Sequence, residues 1–157
     1  SRIENVSVSS CEIGIYLCNS SNNIIINNIA SGTRKDSGKL DTWNNYGVSL
    51  RYSSNNTIAC NTVNLNYYGG ISLYYSSNNI ITENSICTTI SGSGISLYFS
   101  HHNTIANNLV SSNSLYGIYI SSSVGNRIYS NSFIHNHVPF EAYPSSPSRH
   151  SAIYPPF

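Results

Sequence analysis

Apolar residues along this chain come in short alternating runs such as "GISLY" and "NTIA". A period of two over three to five residues marks half-buried strands. No stretch sustains the period of a helix. The runs also recur. "GVSLRYSSNNTIACN" begins at Gly47, and "GISLYYSSNNIITEN" at Gly70, nearly the same sentence written twice. Aligned on glycine, five units start at Gly14, Gly47, Gly70, Gly94 and Gly117, with spacings of 33, 23, 24 and 23 residues. The long first spacing holds an insertion, residues 31–45.

Several positions agree in all five units. Six residues after the glycine stands serine: Ser20, Ser53, Ser76, Ser100 and Ser123. Nine after it stands asparagine: Asn23, Asn56, Asn79, Asn103 and Asn126. Eleven after it stands isoleucine: Ile25, Ile58, Ile81, Ile105 and Ile128. Fourteen after it asparagine returns: Asn28, Asn61, Asn84, Asn108 and Asn131. A unit this small cannot bury its own apolar face, so it must stack on copies of itself. Strands recurring once per unit then lie parallel, about 4.8 Å apart. The expected fold is all-β: a right-handed, single-stranded parallel β-helix of about 23 residues per coil, with five clear coils and partial coils at the ends.

In such a solenoid the isoleucines form a core column. Asparagine tolerates left-handed turns, and identical amides stack into ladders. The glycine is expected to open a strand after a turn. Ile3 and Val6 suit core positions of a partial first coil. The β-helix is expected over residues 1–138. Residues 139–157 read as a Pro-rich arm or plug, because prolines at 139, 144, 147, 155 and 156 oppose a regular ladder.

The "G-I-x-L-x-x-S-x-x-N-x-I-x-x-N" unit resembles the NosD-type or CASH right-handed β-helix repeats from Gly14 to about Ile134. The resemblance implies this fold. It also implies a range of roles: secreted carbohydrate-acting proteins, a periplasmic copper-related protein, and archaeal cell-surface, surface-layer or methanogen sheath proteins. The Asn, Ser and Tyr bias is most similar to the last group.

Composition narrows the roles. Only 8% of the 157 residues are charged, and the formal net charge is +1, against roughly 25% charged in an ordinary soluble domain. The few basic residues are scattered, which argues against nucleic acid as a partner. No apolar run is long enough to span a membrane. The chain opens on "SRIENVSVSS", as a mature product whose leader is gone would. A near-neutral surface lacks the repulsion that keeps copies apart, although a neutral secreted monomer has the same composition.

Thirteen tyrosines are the most unusual component. Tyr52, Tyr74, Tyr75, Tyr98 and Phe99 follow the glycine by four or five positions, and Tyr74 and Tyr98 should point outward beside Arg51. With Tyr154 and Phe157 of the tail they are candidates for an assembly interface. Sugar stacking suits the same column, and so does a ladder that only stiffens the face. Cys11, Cys18, Cys60 and Cys87 do not have zinc spacing. They are disulfide candidates, between chains or as intrachain pairs such as Cys11–Cys18 or Cys60–Cys87. Asn5, Asn19 and Asn55 head Asn-x-Ser/Thr sequons, which so Asn- and Ser-rich a chain also produces by chance.

Signals for chemistry are weak. The acids Glu4, Glu12, Asp36, Asp41, Glu83 and Glu141 never share a column in adjacent coils, so paired acid–base groups are not expected. The insertion gathers Arg34, Lys35, Asp36, Lys39, Asp41 and Trp43, either a functional loop or a solvated one. His135 and His137 are weak metal candidates, and His101 and His102 replace turn residues of other coils. We expect no cofactor. The sequence therefore reads as an extracellular structural protein rather than an enzyme, whose partner is itself in a cell-surface layer, sheath or filament, with cell-surface glycans as a further partner. The competing reading is a carbohydrate-binding or polysaccharide-processing β-helix.

Overall fold

The structure is a computed structural model that describes residues 1–33 and 45–143 and the strand Ala152–Tyr154. Among the described residues there are nineteen strands and no helix. The chain winds as a right-handed parallel β-helix, and each coil gives one strand to each of three sheets. The first sheet holds Arg2–Glu4, Ile24–Ile26, Thr57–Ala59, Ile80–Thr82, Thr104–Ala106, Arg127–Tyr129 and Ala152–Tyr154. The second holds Ser7–Ser9, Ile29–Ser31, Thr62–Asn64, Ser85–Cys87, Leu109–Ser111 and Ser132–Ile134. The third holds Ile15–Cys18, Tyr46–Arg51, Gly69–Tyr74, Ser93–Tyr98, Tyr116–Ser121 and Val138–Tyr143, mostly longer strands.

Register puts like on like. Ile25, Ile58, Ile81, Ile105 and Ile128 stack in one buried column of the first sheet. Leu17, Leu50, Leu73, Leu97 and Ile120 do so in the third. Each such side chain contributes about 1.5–3 kcal/mol by leaving water. No single coil can supply that shelter alone.

The turns carry polar ladders. Asn56 Nδ2 donates to Asn79 Oδ1 at 3.1 Å, and Asn79 Nδ2 to Asn103 Oδ1 at 3.2 Å. In the second ladder Asn61 donates to Asn84, and Asn84 to Asn108, each at 3.0 Å. The repeated serine accepts from the preceding coil, as when Ser53 N donates to Ser76 Oγ at 3.0 Å. Left-handed backbone does not fall on the ladder asparagines, contrary to the sequence expectation. It falls one residue earlier, at Asn22, Asn55, Asn78, His102 and Gly125, and at Asn27, Cys60, Glu83, Asn107 and Ser130. That residue makes the bend, which leaves the following amide aimed inward along the stack.

A third ladder escaped the sequence because its members differ. Thr33, Asn66, Thr89, Asn113 and Asn136 occupy one position, and Thr33 N donates to Asn66 Oδ1 at 3.2 Å. Asn113 Nδ2 donates to Asn136 Oδ1 at 2.7 Å. The repeated glycine is explained by space, not by turn geometry. Gly94 is the second residue of its strand, and a Cβ there would lie 2.6 Å from Val110 Cγ1 and 2.8 Å from Asn113 Nδ2.

The ends differ from expectation in two places. Val8, not Val6, packs with Ile3 against the core; Val6 is 42% exposed, and its N–H caps the amide ladder at Asn28 Oδ1, 3.0 Å away. The β-helix also runs past residue 138. Val138–Tyr143 is a full strand of the third sheet, with Phe140 against the core. Pro139 fits because it stands at the glycine position. There the N–H of Gly14 bonds forward to Tyr46 O of the next coil, so a proline bars nothing on the side already paired.

Candidate functional site: a tyrosine cleft on the third sheet

The outer face of the third sheet has two outward columns. One reads Tyr16, Ser49, Ser72, Ser96, Tyr119 and Glu141; the other Cys18, Arg51, Tyr74, Tyr98, Ser121 and Tyr143. Ser49, Ser72 and Ser96 are buried although they face out, because tyrosines rise around them. Tyr46 lies down over Gly69 and is itself buried, and that burial pushes its phenol pKa up.

Towards the C-terminal coils this relief opens into a cleft of about 500 Å³ lined by Ser93, Tyr98, Leu115, Tyr116, Tyr119 and Tyr143. Tyr119 sits centrally, with ring centroids 5.5 Å from Tyr98, 5.2 Å from Tyr116 and 5.9 Å from Tyr143. The rings meet at 36° to 53°, so they are tilted and not stacked face to face. Burial pushes the Tyr98 phenol up to about 12, with the neighbouring Tyr46 and Tyr119 adding to the shift. Its hydroxyl therefore stays a hydrogen-bond donor over the whole physiological range. The Glu141 carboxylate raises the Tyr143 phenol.

The aromatic candidates read from the sequence separate into two groups. Tyr52, Tyr75 and Phe99 form a ladder in the turn after the third-sheet strands. Tyr52 and Tyr75 stack at 5.4 Å and 12°, and Tyr75 and Phe99 at 4.8 Å and 6°. Tyr74 wedges edge-on against Tyr75 at 4.7 Å, and the Arg51 guanidinium lies over the Tyr74 ring, 5.1 Å from its centroid. The central ring, Tyr75, spends both faces on its neighbours, and Tyr52 and Phe99 each spend one. This ladder also holds three aromatics at left-handed φ of 50°, 48° and 49°, a conformation that costs bulky residues roughly 1–2 kcal/mol each. Mutual stacking, about 0.5–1.5 kcal/mol per pair, offsets much of that cost. Of the described candidates, only Tyr98 lines the cleft. The side chain of Tyr154, Phe157 and the charged residues of the insertion lie outside the described part of the structure.

Tyr116 and Tyr119 were missed, and Tyr143 was read only as part of the Pro-rich arm. A column comparison contains part of the signal, because Tyr119 stands where three preceding coils have serine. Tyr143 had no such clue, since its coil lacks the glycine that marks the register.

The other candidates do not assemble into chemistry. All four cysteines are free thiols. Cys18 ends a third-sheet strand, and Cys60 lies in a turn whose neighbour in the next coil is Glu83, with Cys60 Sγ 3.5 Å from Glu83 Oε2. Cys87 ends a second-sheet strand, so neither the Cys11–Cys18 nor the Cys60–Cys87 pair forms. Partial desolvation, with Glu83 alongside, raises the Cys60 thiol pKa and leaves it a poor nucleophile. His101 Nδ1 accepts from Val124 N at 3.1 Å, continuing a ladder in which Ser21, Ser54 and Ser77 serve the coils before it. His135 and His137 bracket the ladder residue Asn136. Of the described acids, Glu141 is on the third sheet, Glu4 on the first and bonded to Arg2, Glu83 in a turn, and Glu12 in the loop before Gly14.

Three sheets built one strand per coil define the class as a parallel β-helix, or β-solenoid, protein. More narrowly, residues 1–150 match the model of the family described as periplasmic copper-binding protein (NosD), and the chain belongs to that family. Among solved structures, it resembles a single-substitution mutant of the periplasmic alginate epimerase AlgG, with 26% identity and a TM-score of 0.67 over 85% of this chain and 30% of that one. A second AlgG structure matches with 19% identity and a TM-score of 0.66 over 90% of this chain and 39% of that one. The chain thus spans between about 30% and 39% of the length of these neighbours. No curated protein matches it. The family description names copper, but among the described residues no three His, Cys, Asp or Glu side chains come together to hold a metal, and the chain has no methionine. These residues do not fit a copper site.

Proposed function

We propose that the chain is a polysaccharide-binding β-helix of the cell envelope, acting outside the cytoplasm. The observation that carries this reading is the cleft around Tyr119, whose tilted rings leave aromatic faces open to the C–H faces of sugars. The AlgG neighbours support it, since they are periplasmic and process a polysaccharide on the same kind of coil. Binding is favoured over catalysis. Glycoside hydrolysis calls for a positioned pair of carboxyl groups, and Glu141 has no second described carboxylate beside it on this sheet.

Affinity electrophoresis through gels containing a range of polysaccharides tests the reading. At least one polymer should retard the protein, and Tyr119→Ser should abolish the retardation. Serine is the residue of this column in other coils, so the variant keeps the fold. Retardation unchanged in Tyr119→Ser would remove the cleft from the account.

Side-by-side packing of copies is a second reading, favoured by the outer face of the first sheet. Ile24 and Ile80 are exposed there, and Thr57 and Thr104 complete an uncharged column between Arg2 and Arg127. Sedimentation velocity should then show concentration-dependent association that Ile80→Lys abolishes; a monomer at all concentrations would eliminate this reading.

A further inference from the structure

Taking the cleft as a glycan site, we infer that its ligand is a neutral pyranose polymer and not a polyuronate. This departs from the alginate of the structural neighbours, and it follows from where the charges stand. Glu141 is in register with Tyr119 on the same outer column, one strand away, or about 4.8 Å along the stack. Its carboxylate is felt in the cleft, because it raises the phenol of Tyr143.

Recognition of carboxylates uses cations, above all the fork of an arginine. Among the described residues none is placed for that. Arg2 is bound to Glu4 on the first sheet, at 2.6 Å. Arg127 also belongs to the first sheet. Arg51 shares a column with Tyr98, but it lies over Tyr74 and is two strands removed. At the strand spacing that is roughly 10 Å, about one Debye length at ordinary ionic strength. A polyuronate brings a carboxylate with every sugar, so each unit in the cleft would meet Glu141 without a counter-charge.

What the cleft does offer suits an uncharged sugar. Pyranoses with equatorial hydroxyls present flat C–H faces to tyrosine rings. Their hydroxyls meet phenols, and the Tyr98 phenol remains protonated. Leu115 and Ser93 close the remaining wall.

The test is affinity electrophoresis of the full chain at physiological ionic strength, with barley β-glucan and galactomannan against alginate and polygalacturonate. The expected result is retardation by a neutral polymer, lost in Tyr119→Ser, and much weaker retardation by the two polyuronates. Glu141→Gln, which keeps the side chain's size, should raise alginate retention by about twofold, from the removal of one like-charge contact near 5 Å in water, screened at this ionic strength. Alginate retarding the wild-type chain more than either neutral polymer would overturn the charge inference while leaving the cleft as a glycan site. Retardation by no polymer would overturn both.

Discussion

The clearest test of what holds the coils together is Asn84→Ala. Asn84 is 1% exposed and sits in the middle of its ladder. Its Nδ2 donates to Asn108 Oδ1 at 3.0 Å, Ile58 O at 2.9 Å and Thr82 O at 2.9 Å. Its Oδ1 accepts from Asn61 N at 2.9 Å and Asn61 Nδ2 at 3.0 Å. A net hydrogen bond contributes about 0.5–1.5 kcal/mol. Not every partner is stranded. Asn61 Nδ2 keeps Ile25 O and Ala59 O, and Asn108 Oδ1 keeps the backbone N–H of residue 84. The group left with the largest penalty is the buried Asn61 N–H. Summing its desolvation with the lost bonds gives a destabilisation of about 3–5 kcal/mol. That is a large part of the roughly 5–15 kcal/mol that holds a domain together. Urea unfolding followed by far-ultraviolet circular dichroism measures it, with Asn107→Ser as the control. Asn107 is the exposed left-handed residue of another turn, where Ser130 fills the same position one coil on. The control should cost less than about 1 kcal/mol. A loss below about 1 kcal/mol in Asn84→Ala would refute the ladder as a main source of stability.

Other expectations follow from single contacts. Gly94→Ala should cost about 1–3 kcal/mol, read as a lowered urea midpoint, because its Cβ would enter space held by Val110 Cγ1 at 2.6 Å and Gly117 O at 2.8 Å. Tyr75→Asn loses two stacked neighbours but relieves an aromatic at φ 48°, so stability should move by less than about 1.5 kcal/mol. Polysaccharide retardation should be unchanged in that variant, and its loss would return the ladder to the candidate site. His101→Ala removes the acceptor of Val124 N and should lower stability, while His101→Ser should restore it, since serine serves the ladder elsewhere. Tyr98 has a folded-state pKa raised from 10.0 to about 12. Its contribution is complete below pH 10 and is lost as pH rises through about 12. A spectrophotometric tyrosine titration should show a late-ionising phenol that Tyr98→Phe removes; no such change would exclude Tyr98 as its source.

The legible part of this protein is whatever repeats along the helix axis. Spacings between glycines set the coil, and the isoleucine and asparagine columns are neighbours in space because they are equivalent in sequence. A parallel solenoid makes alignment and stacking the same operation. That is why the core and two of the ladders can be read without coordinates, while the third hides behind its alternation of threonine with asparagine. The left-handed positions were misplaced by one residue, because a residue type allowed in a turn does not say which member of an Asn-Asn pair makes the bend.

The outer face obeys no such rule. Tyr74 and Tyr98 are equivalent in the repeat, yet one is wedged edge-on against Tyr75, and the other tilts against Tyr119 over a cleft. Which ring faces stay open depends on side-chain angles and on register across three coils, including one that carries no marker glycine. The sequence by itself determined the coil, its core and the repetition of its turns, since these depend on residues that recur every coil. Only the tertiary structure decided where a ligand can enter, since that depends on the residues that do not recur and on how their side chains lean.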